Sequence, residues 1–417
     1  MNITVQPSIM RGTLQAPASK SFAQRALAAA LLADGTTIIR NPSRCDDALA
    51  AMQVIQGLGA TLEDFGDRLI IHGGLAPLEK TLDFGEAGLG IRMFASIAAL
   101  HNGEIILNGT GSLLNRPMSL ISEALSSSGV SCETNNGFLP VKVRGPIKGG
   151  EIKIDGSLSS QVLTGLIMAL PLAENDSLVR VRSLQSIPYI DMTLSIMEHF
   201  GVNVSNSEYQ EFRIPGRQAY YPHDYVIEGD WSGAAFLFVA GAIAGEVDIS
   251  GLNTNSFQAD REIISALIQS GANLTIGEKR IHCSRAELKA FSMDATHCPD
   301  LFPPLVALAA HCVGVSKISG VNRLIHKESN RADVLLKEMG KLGVQIQISG
   351  DEMIIQGQAE IQKACIDSHN DHRIAMAATV VALPGKVPIE IIGADCISKS
   401  YPEFYSDMIK VGGQIDE

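Results

Sequence analysis

No Cys-x-x-Cys pair occurs in this sequence, and its seven cysteines (Cys45, Cys132, Cys283, Cys298, Cys312, Cys365 and Cys396) are odd in number. That argues against a disulfide framework and a structural zinc site, and for reduced thiols in a cytoplasmic protein. Long apolar runs are also missing. The first, Ala26 to Ala33, is short and follows Lys20 and Arg25, and the later Ala/Leu-rich runs are broken by Gly and Pro. Neither a signal peptide nor a membrane span is expected. Positive charge is scarce, with a formal net charge of -12. General binding to nucleic acid or to an anionic membrane is therefore not expected. A local cluster of Lys and Arg can still receive an anionic substrate. With 417 residues, 46% hydrophobic and 19% charged, the chain can form two globular domains around large cores.

What is present is a repeat. A glycine followed by a strand-like alternation recurs at Gly59, Gly129, Gly201, Gly271, Gly343 and Gly413, about 70 residues apart. Between these glycines a small-residue helix turns into a β-branched strand, as in LLADGTTIIRNP and AGAIAGEVDISG. Each unit reads as helix, strand, helix, strand and a further strand, such as RLIIHG or EMIIQG. The sixth unit stops short at GQIDE, and the N-terminal NITVQP is placed to complete it. A solenoid that binds partners on one face is the plainer reading of such a period.

The phrases that open the small-residue helices argue for something more specific. They are SKSFAQR from Ser19, GEAGLGIR from Gly85, GSLSSQ from Gly156, GDWSG from Gly229, HCPD from His297 and HNDHR from His369. A helix N-terminus exposes unpaired N–H groups and is a ready anion site. Ordinary N-capping accounts for Ser19, Ser157, Asp230 and Asp300. It does not account for Lys20, Arg25, Arg92 and Arg373, placed by this reading in the first turns, where cations are unfavourable. Further basic phrases follow in loops, at Asn115-Arg116-Pro117, Lys327 to Arg331 and Ser398-Lys399-Ser400. Together they make a cage suited to phosphate and carboxylate groups.

The phrases SKS-x3-R (Ser19 to Arg25), NRP (Asn115 to Pro117), DGSLSSQ (Asp155 to Gln161), SIPYID (Ser186 to Asp191), KES-x2-R (Lys327 to Arg331), NDHR (Asn370 to Arg373) and SKSYPEF (Ser398 to Phe404) resemble, in order and spacing, the EPSP synthase family. The resemblance implies an α/β fold, a two-domain inside-out α/β barrel of six βαβαββ repeats with the site in the interdomain cleft. One domain would span 19–228. The other, discontinuous, would join 1–18 to 229–417. It implies a monomer that closes on its substrates, with no organic cofactor and no metal. The implied reaction joins phosphoenolpyruvate to the 5-hydroxyl of shikimate 3-phosphate by addition and elimination, releasing phosphate.

By the same resemblance, Lys20, Ser21, Arg25, Ser159, Ser160, Gln161, Ser186, Asp300 and Lys327 would bind shikimate 3-phosphate. Lys20, Gly88, Arg116, Gln161, Arg331, Arg373 and Lys399 would bind phosphoenolpyruvate. Gly88 would let backbone approach a phosphate closely, or serve as a plain turn glycine. Catalysis would fall to Asp300 as base, to Glu328 and Lys20 in proton delivery and leaving-group stabilisation, and to Lys399. Tyr189 is placed either on the shikimate ring or in the core beside Pro188. His372 reads as support for the Arg373 turn, and Trp231 as packing near a domain crossing.

The family usually has Asn-Ala-Gly-Thr-Ala-x-Arg-Pro where this chain has Glu86 to Met93, with Leu89 and Met93 among the changes. Glu86 would set a negative charge near the proposed phosphoenolpyruvate phosphate, and the response to the inhibitor glyphosate is left open. Arg323 stands where the family often has Asn. Two other readings are a UDP-N-acetylglucosamine enolpyruvyltransferase and a non-catalytic anion-binding repeat protein. The loop at Leu113 to Pro117 lacks the cysteine usual in the former.

Overall fold

The structure, a computed structural model, describes residues 1–157, 159–325 and 327–416. Leu158 of the DGSLSSQ phrase, His326 and the final Glu417 of GQIDE lie outside the described residues. The chain divides into unit I, residues 1–17 with 228–417, and unit II, residues 18–227.

Unit II carries α1 (Lys20–Leu32), α2 (Asp46–Gly57), α3 (Gly88–Ala98), α4 (Ser119–Ser127), α5 (Gln161–Ala169) and α6 (Ile187–His199). Unit I carries α7 (Trp231–Ala244), α8 (Ile263–Ser270), α9 (Phe302–Ala310), α10 (Arg331–Lys341), α11 (His372–Ala382) and α12 (Phe404–Lys410). In unit II, α3 packs on both α1 and α5, and in unit I α7, α9 and α11 pack on one another. These helices are apolar on nearly every side, and every residue of α7 is buried. A helix without a polar face can only be stable at the centre of a unit.

Small residues let the central helices approach closely. A Cβ on Gly165 of α5 would lie 2.9 Å from Met93 Cα and 2.5 Å from Met93 O of α3. Only glycine fits at that crossing.

Among the described residues the strands form six four-stranded sheets. In one, Thr36–Arg40 pairs in parallel with Asp224–Val226 and antiparallel with Arg68–His72, which pairs in turn with Thr61–Asp64. The other sheets repeat this order. Their strands alternate in burial, as in Phe138–Arg144, so one face packs on helices and the other meets solvent.

The sixth sheet is completed by the start of the chain. Asn2–Gln6 lies antiparallel between Ile389–Ile392 and Gln414–Asp416, as NITVQP leads one to expect. Among the described residues no helix is long and apolar enough to cross a membrane.

Candidate active site

In unit II the site residues cluster around the starts of α1, α3 and α5. Ser19 caps α1 by accepting from Phe22 N–H, and Lys20 is the first helical residue. Lys20 Nζ lies 3.0 Å from Asp47 Oδ2, in the first turn of α2. Arg25 and Arg92 sit one turn deeper than expected, because α1 begins at Lys20 and α3 at Gly88. Their side chains reach back along the helix. Arg25 donates to the Ser21 carbonyl (2.8 Å), and Arg92 to the Gly88 carbonyl (3.3 Å).

Arg25 is 1% exposed. It also donates to Thr193 Oγ1 (2.9 Å) and to the Tyr189 carbonyl (3.2 Å). Thr193 Oγ1 in turn donates to the same carbonyl. Tyr189 therefore serves this cluster through its backbone. Among the described residues no carboxylate lies within ion-pair distance of Arg25. Burial lowers its pKa to about 10, so the guanidinium remains charged at neutral pH.

Arg92 links three of the phrases. It donates to Gln161 Oε1 at the start of α5 (2.9 Å) and to the Pro117 carbonyl (3.2 Å). The preceding Arg116 is 8% exposed, and its Nε has no hydrogen-bond partner among the described residues. Its guanidinium lies on Gly88, where an added Cβ would be 2.7 Å from Arg116 Cζ. Gly88 thus makes room for an arginine, a reason the sequence alone does not disclose. Glu86 is turned to the loop, where its carboxylate accepts from Ser112 N–H (2.8 Å) and hydroxyl (2.5 Å).

Ser159 Oγ accepts from Gln161 N–H (3.1 Å), and Ser160 is buried at the N-cap of α5. Ser157 does not cap this helix, which begins only at Gln161. Ser186 is buried ahead of α6 with φ 58, a left-handed conformation rare for a residue with a side chain.

In unit I the sequence-predicted residues form one ionic network. Asp300 lies in the short turn Pro299–Leu301 and does not cap α9. Its carboxylate pairs with Lys327 (3.1 Å), Arg331 (2.9 Å) and Arg373 (3.3 Å). Arg331, 0% exposed, also pairs with Glu328 (2.6 Å) and with Asp371 through Nε (2.9 Å) and a terminal nitrogen (3.1 Å). Burial raises the Asp300 carboxyl, but Arg373, Lys327 and Arg331 outweigh it and hold it well below the usual range.

Asp371 caps α11 by accepting from Arg373 N–H (3.0 Å). Lys399 donates to the Asn370 carbonyl (2.7 Å). His372 is buried beside Asp371, and Arg323 lies in the turn Val321–Leu324. Trp231 is buried and donates to the Asn253 carbonyl (3.0 Å).

Residue-by-residue reading missed Asp47, Thr193 and Asp260. Asp46-Asp47 at a helix start was a usable signal for the first. Thr193 and Asp260 had none beyond lying within helical stretches. Asp260, 4% exposed, has a carboxyl pushed up to about 7, first by burial and then by Asp300, against the pull of Arg373.

Residues 5–408 match EPSP synthase (3-phosphoshikimate 1-carboxyvinyltransferase). The chain belongs to the EPSP synthase family. A 3-phosphoshikimate 1-carboxyvinyltransferase of Clostridium perfringens strain 13 is 35% identical over 100% of this chain and 99% of that protein. One from Methanocorpusculum labreanum is 36% identical over 100% of both. The solved EPSP synthase of Acinetobacter baumannii superimposes with a TM-score of 0.84 at 26% identity, covering 100% of both chains. NikO of Streptomyces tendae, an enolpyruvyl transferase, has a TM-score of 0.80 at 14% identity over 99% of this chain and 98% of that one, which shows the fold alone.

Proposed function

We propose that this chain transfers the enolpyruvyl group of phosphoenolpyruvate to the 5-hydroxyl of shikimate 3-phosphate, releasing inorganic phosphate, as a step toward chorismate and the aromatic amino acids. The observation that carries this reading is Arg25, a buried guanidinium surrounded by neutral oxygens. A buried cation without a counter-charge is costly, and a bound phosphate supplies the missing charge. Arg25, with Lys20, Ser21, Ser159, Ser160, Gln161, Ser186, Asp300 and Lys327, takes shikimate 3-phosphate. Arg116, Gly88, Arg331, Arg373 and Lys399 take phosphoenolpyruvate, with Lys20 and Gln161 shared.

In the addition step the 5-hydroxyl oxygen bonds to C2 of phosphoenolpyruvate while a proton is delivered to C3. In the elimination step C3 loses a proton and the C2–O bond to phosphate breaks. Asp300 is the base for the hydroxyl. Its three cations keep it ionised but make it a weak acceptor. Anionic substrates that draw off Lys327, Arg331 and Arg373 raise its basicity where the hydroxyl arrives. Glu328 delivers a proton once the substrate carboxylate has taken its place on Arg331. Lys20 and Lys399 stabilise the departing phosphate, and charge stabilisation carries more of the rate than either proton transfer. The protein works as a cytoplasmic monomer.

Phosphate release from phosphoenolpyruvate with shikimate 3-phosphate, compared with UDP-N-acetylglucosamine as acceptor, tests the assignment. Release with the first acceptor alone is expected. No release with either removes the enzymatic reading.

A further inference from the structure

Helix α10 opens with Arg331 and carries Glu338 seven residues later, and both side chains are 0% exposed. Arg331 belongs to the site network, whereas Glu338 has no place in it. Glu338 Oε2 accepts from Asp367 N–H (3.0 Å) and from Lys341 Nζ (2.5 Å). Its Oε1 lies 3.1 Å from His369 Nε2 and 3.4 Å from Lys337 Nζ. Burial alone would raise this carboxyl, but Lys341, the Asp367 N–H and His369 bring it below the usual range. A buried carboxylate so fully satisfied fixes the position of whatever it holds.

It holds a turn that is otherwise unfavourable. His369 and Asn370 are consecutive left-handed residues, at φ 50 and φ 55, and neither is glycine. Such backbone persists only where the surroundings over-determine it. Ser368 Oγ donates to the Gly393 carbonyl (2.9 Å) and accepts from Asn370 N–H (3.2 Å), and Lys399 Nζ grips the Asn370 carbonyl. The turn delivers Asp371 and Arg373 to the start of α11. Helix α10 therefore clasps this segment twice, by Arg331 on Asp371 and by Glu338 on His369 and Asp367.

We propose that Glu338 is a positioning residue that acts through His369 to hold the Ser368–Asn370 turn, and with it Arg373, in the geometry that receives the carboxylate of phosphoenolpyruvate. The proposal rests on the assignment of Arg373 to that substrate. A plain structural ion pair with Lys341 is the competing account. It gives His369 no part in substrate binding.

The full-length chain is compared as wild type, Glu338→Ala, Glu338→Gln, His369→Ala and the double alanine variant. Glu338→Ala and His369→Ala should each raise KM for phosphoenolpyruvate about tenfold, with a smaller change in KM for shikimate 3-phosphate. The double variant should be no worse than Glu338→Ala, since the two act as one unit. Glu338→Gln, which keeps an acceptor for the Asp367 N–H, should recover most of the loss. Hydrogen exchange at amides 368–374, measured without substrate, should quicken in the alanine variants.

Unchanged exchange in His369→Ala and an unchanged KM in folded Glu338→Ala would overturn the proposal, as would additive losses in the double variant. If Glu338→Ala does not fold, the KM for phosphoenolpyruvate and the amide exchange of His369→Ala carry the test, and wild-type values in both overturn the proposal. If wild type releases no phosphate, the functional assignment falls, while the exchange data still decide whether the clasp exists.

Discussion

Arg25 and Arg331 are both fully buried, yet they are held in opposite ways. In unit II, Arg25 donates to the Thr193 hydroxyl and to two backbone carbonyls. In unit I, Arg331 pairs with Asp371, Asp300 and Glu328. The first arrangement keeps an uncompensated charge, and burial lowers its pKa to about 10. The second is neutralised in place, and its carboxylates raise the arginine's pKa despite burial. An anion arriving at Arg25 breaks no ion pair. One arriving at Arg331 must displace a protein carboxylate, and thereby frees that carboxylate to handle protons. On the proposed function, Arg25 would bind an anion without rearrangement, whereas Arg331 would exchange a protein carboxylate for one.

The sharpest way to break this contrast is to remove each charge without removing volume. Arg331→Met leaves Asp371 buried and two further carboxylates without their guanidinium. It should destabilise the fold by about 3–5 kcal/mol, read from urea unfolding. An unchanged midpoint would show that the network is not structural. Arg25→Met should lower kcat/KM for shikimate 3-phosphate by roughly a hundred- to a thousandfold. Its unfolding midpoint should hold or rise, because a buried charge is removed and no carboxylate is orphaned. A midpoint loss equal to that of Arg331→Met would erase the difference.

Gly88→Ala comes next. The new methyl would press on the Arg116 guanidinium, and KM for phosphoenolpyruvate should rise roughly tenfold or more. Adding Arg116→Ala to it should cost little beyond the loss from Arg116→Ala alone. An additive loss would mean that Gly88 meets the ligand and not the arginine.

The smallest effect concerns pH. Asp260 holds its proton up to about pH 7 when folded, against about 4 when unfolded. The unfolded chain then binds fewer protons in that window, so this carboxyl removes stability as pH rises from about 4 to about 7. Asp260→Asn should gain on wild type in thermal midpoint between pH 5 and pH 8, and a drift the other way would refute the assignment. The sign reverses for Asp300. Its depressed pKa gives a contribution that is present above about pH 4 and lost as pH falls below it.

Much of this was legible in the residues. The recurring glycines and the helix-to-strand switches mark units that recur as six similar sheets, and NITVQP does complete the last of them. Ser19 and Asp230 cap their helices as expected of short polar residues before apolar runs. Less could be read where the helix start was ambiguous. Ser157 and Asp300 look like caps, but α5 and α9 begin later. Arg25 and Arg92 look like first-turn cations, but they lie in the second turn and reach back. Boundaries depend on which N–H groups find partners, and that is settled by the neighbouring elements.

The sequence by itself determined the periodic units, the central apolar helices and the set of charged residues at their starts. Those follow from side-chain polarity at spacings of a few residues, which local physics reads directly. Only the tertiary structure decided which charges cancel. Lys20 meets Asp47, Arg92 meets Gln161, Arg331 meets Asp371, and Arg25 meets no carboxylate among the described residues. Pairing across 27 to 69 residues depends on how helices pack, and Coulomb energies change steeply with distance and burial. For that reason the same residue type, arginine, is held by neutral oxygens in one unit and by carboxylates in the other.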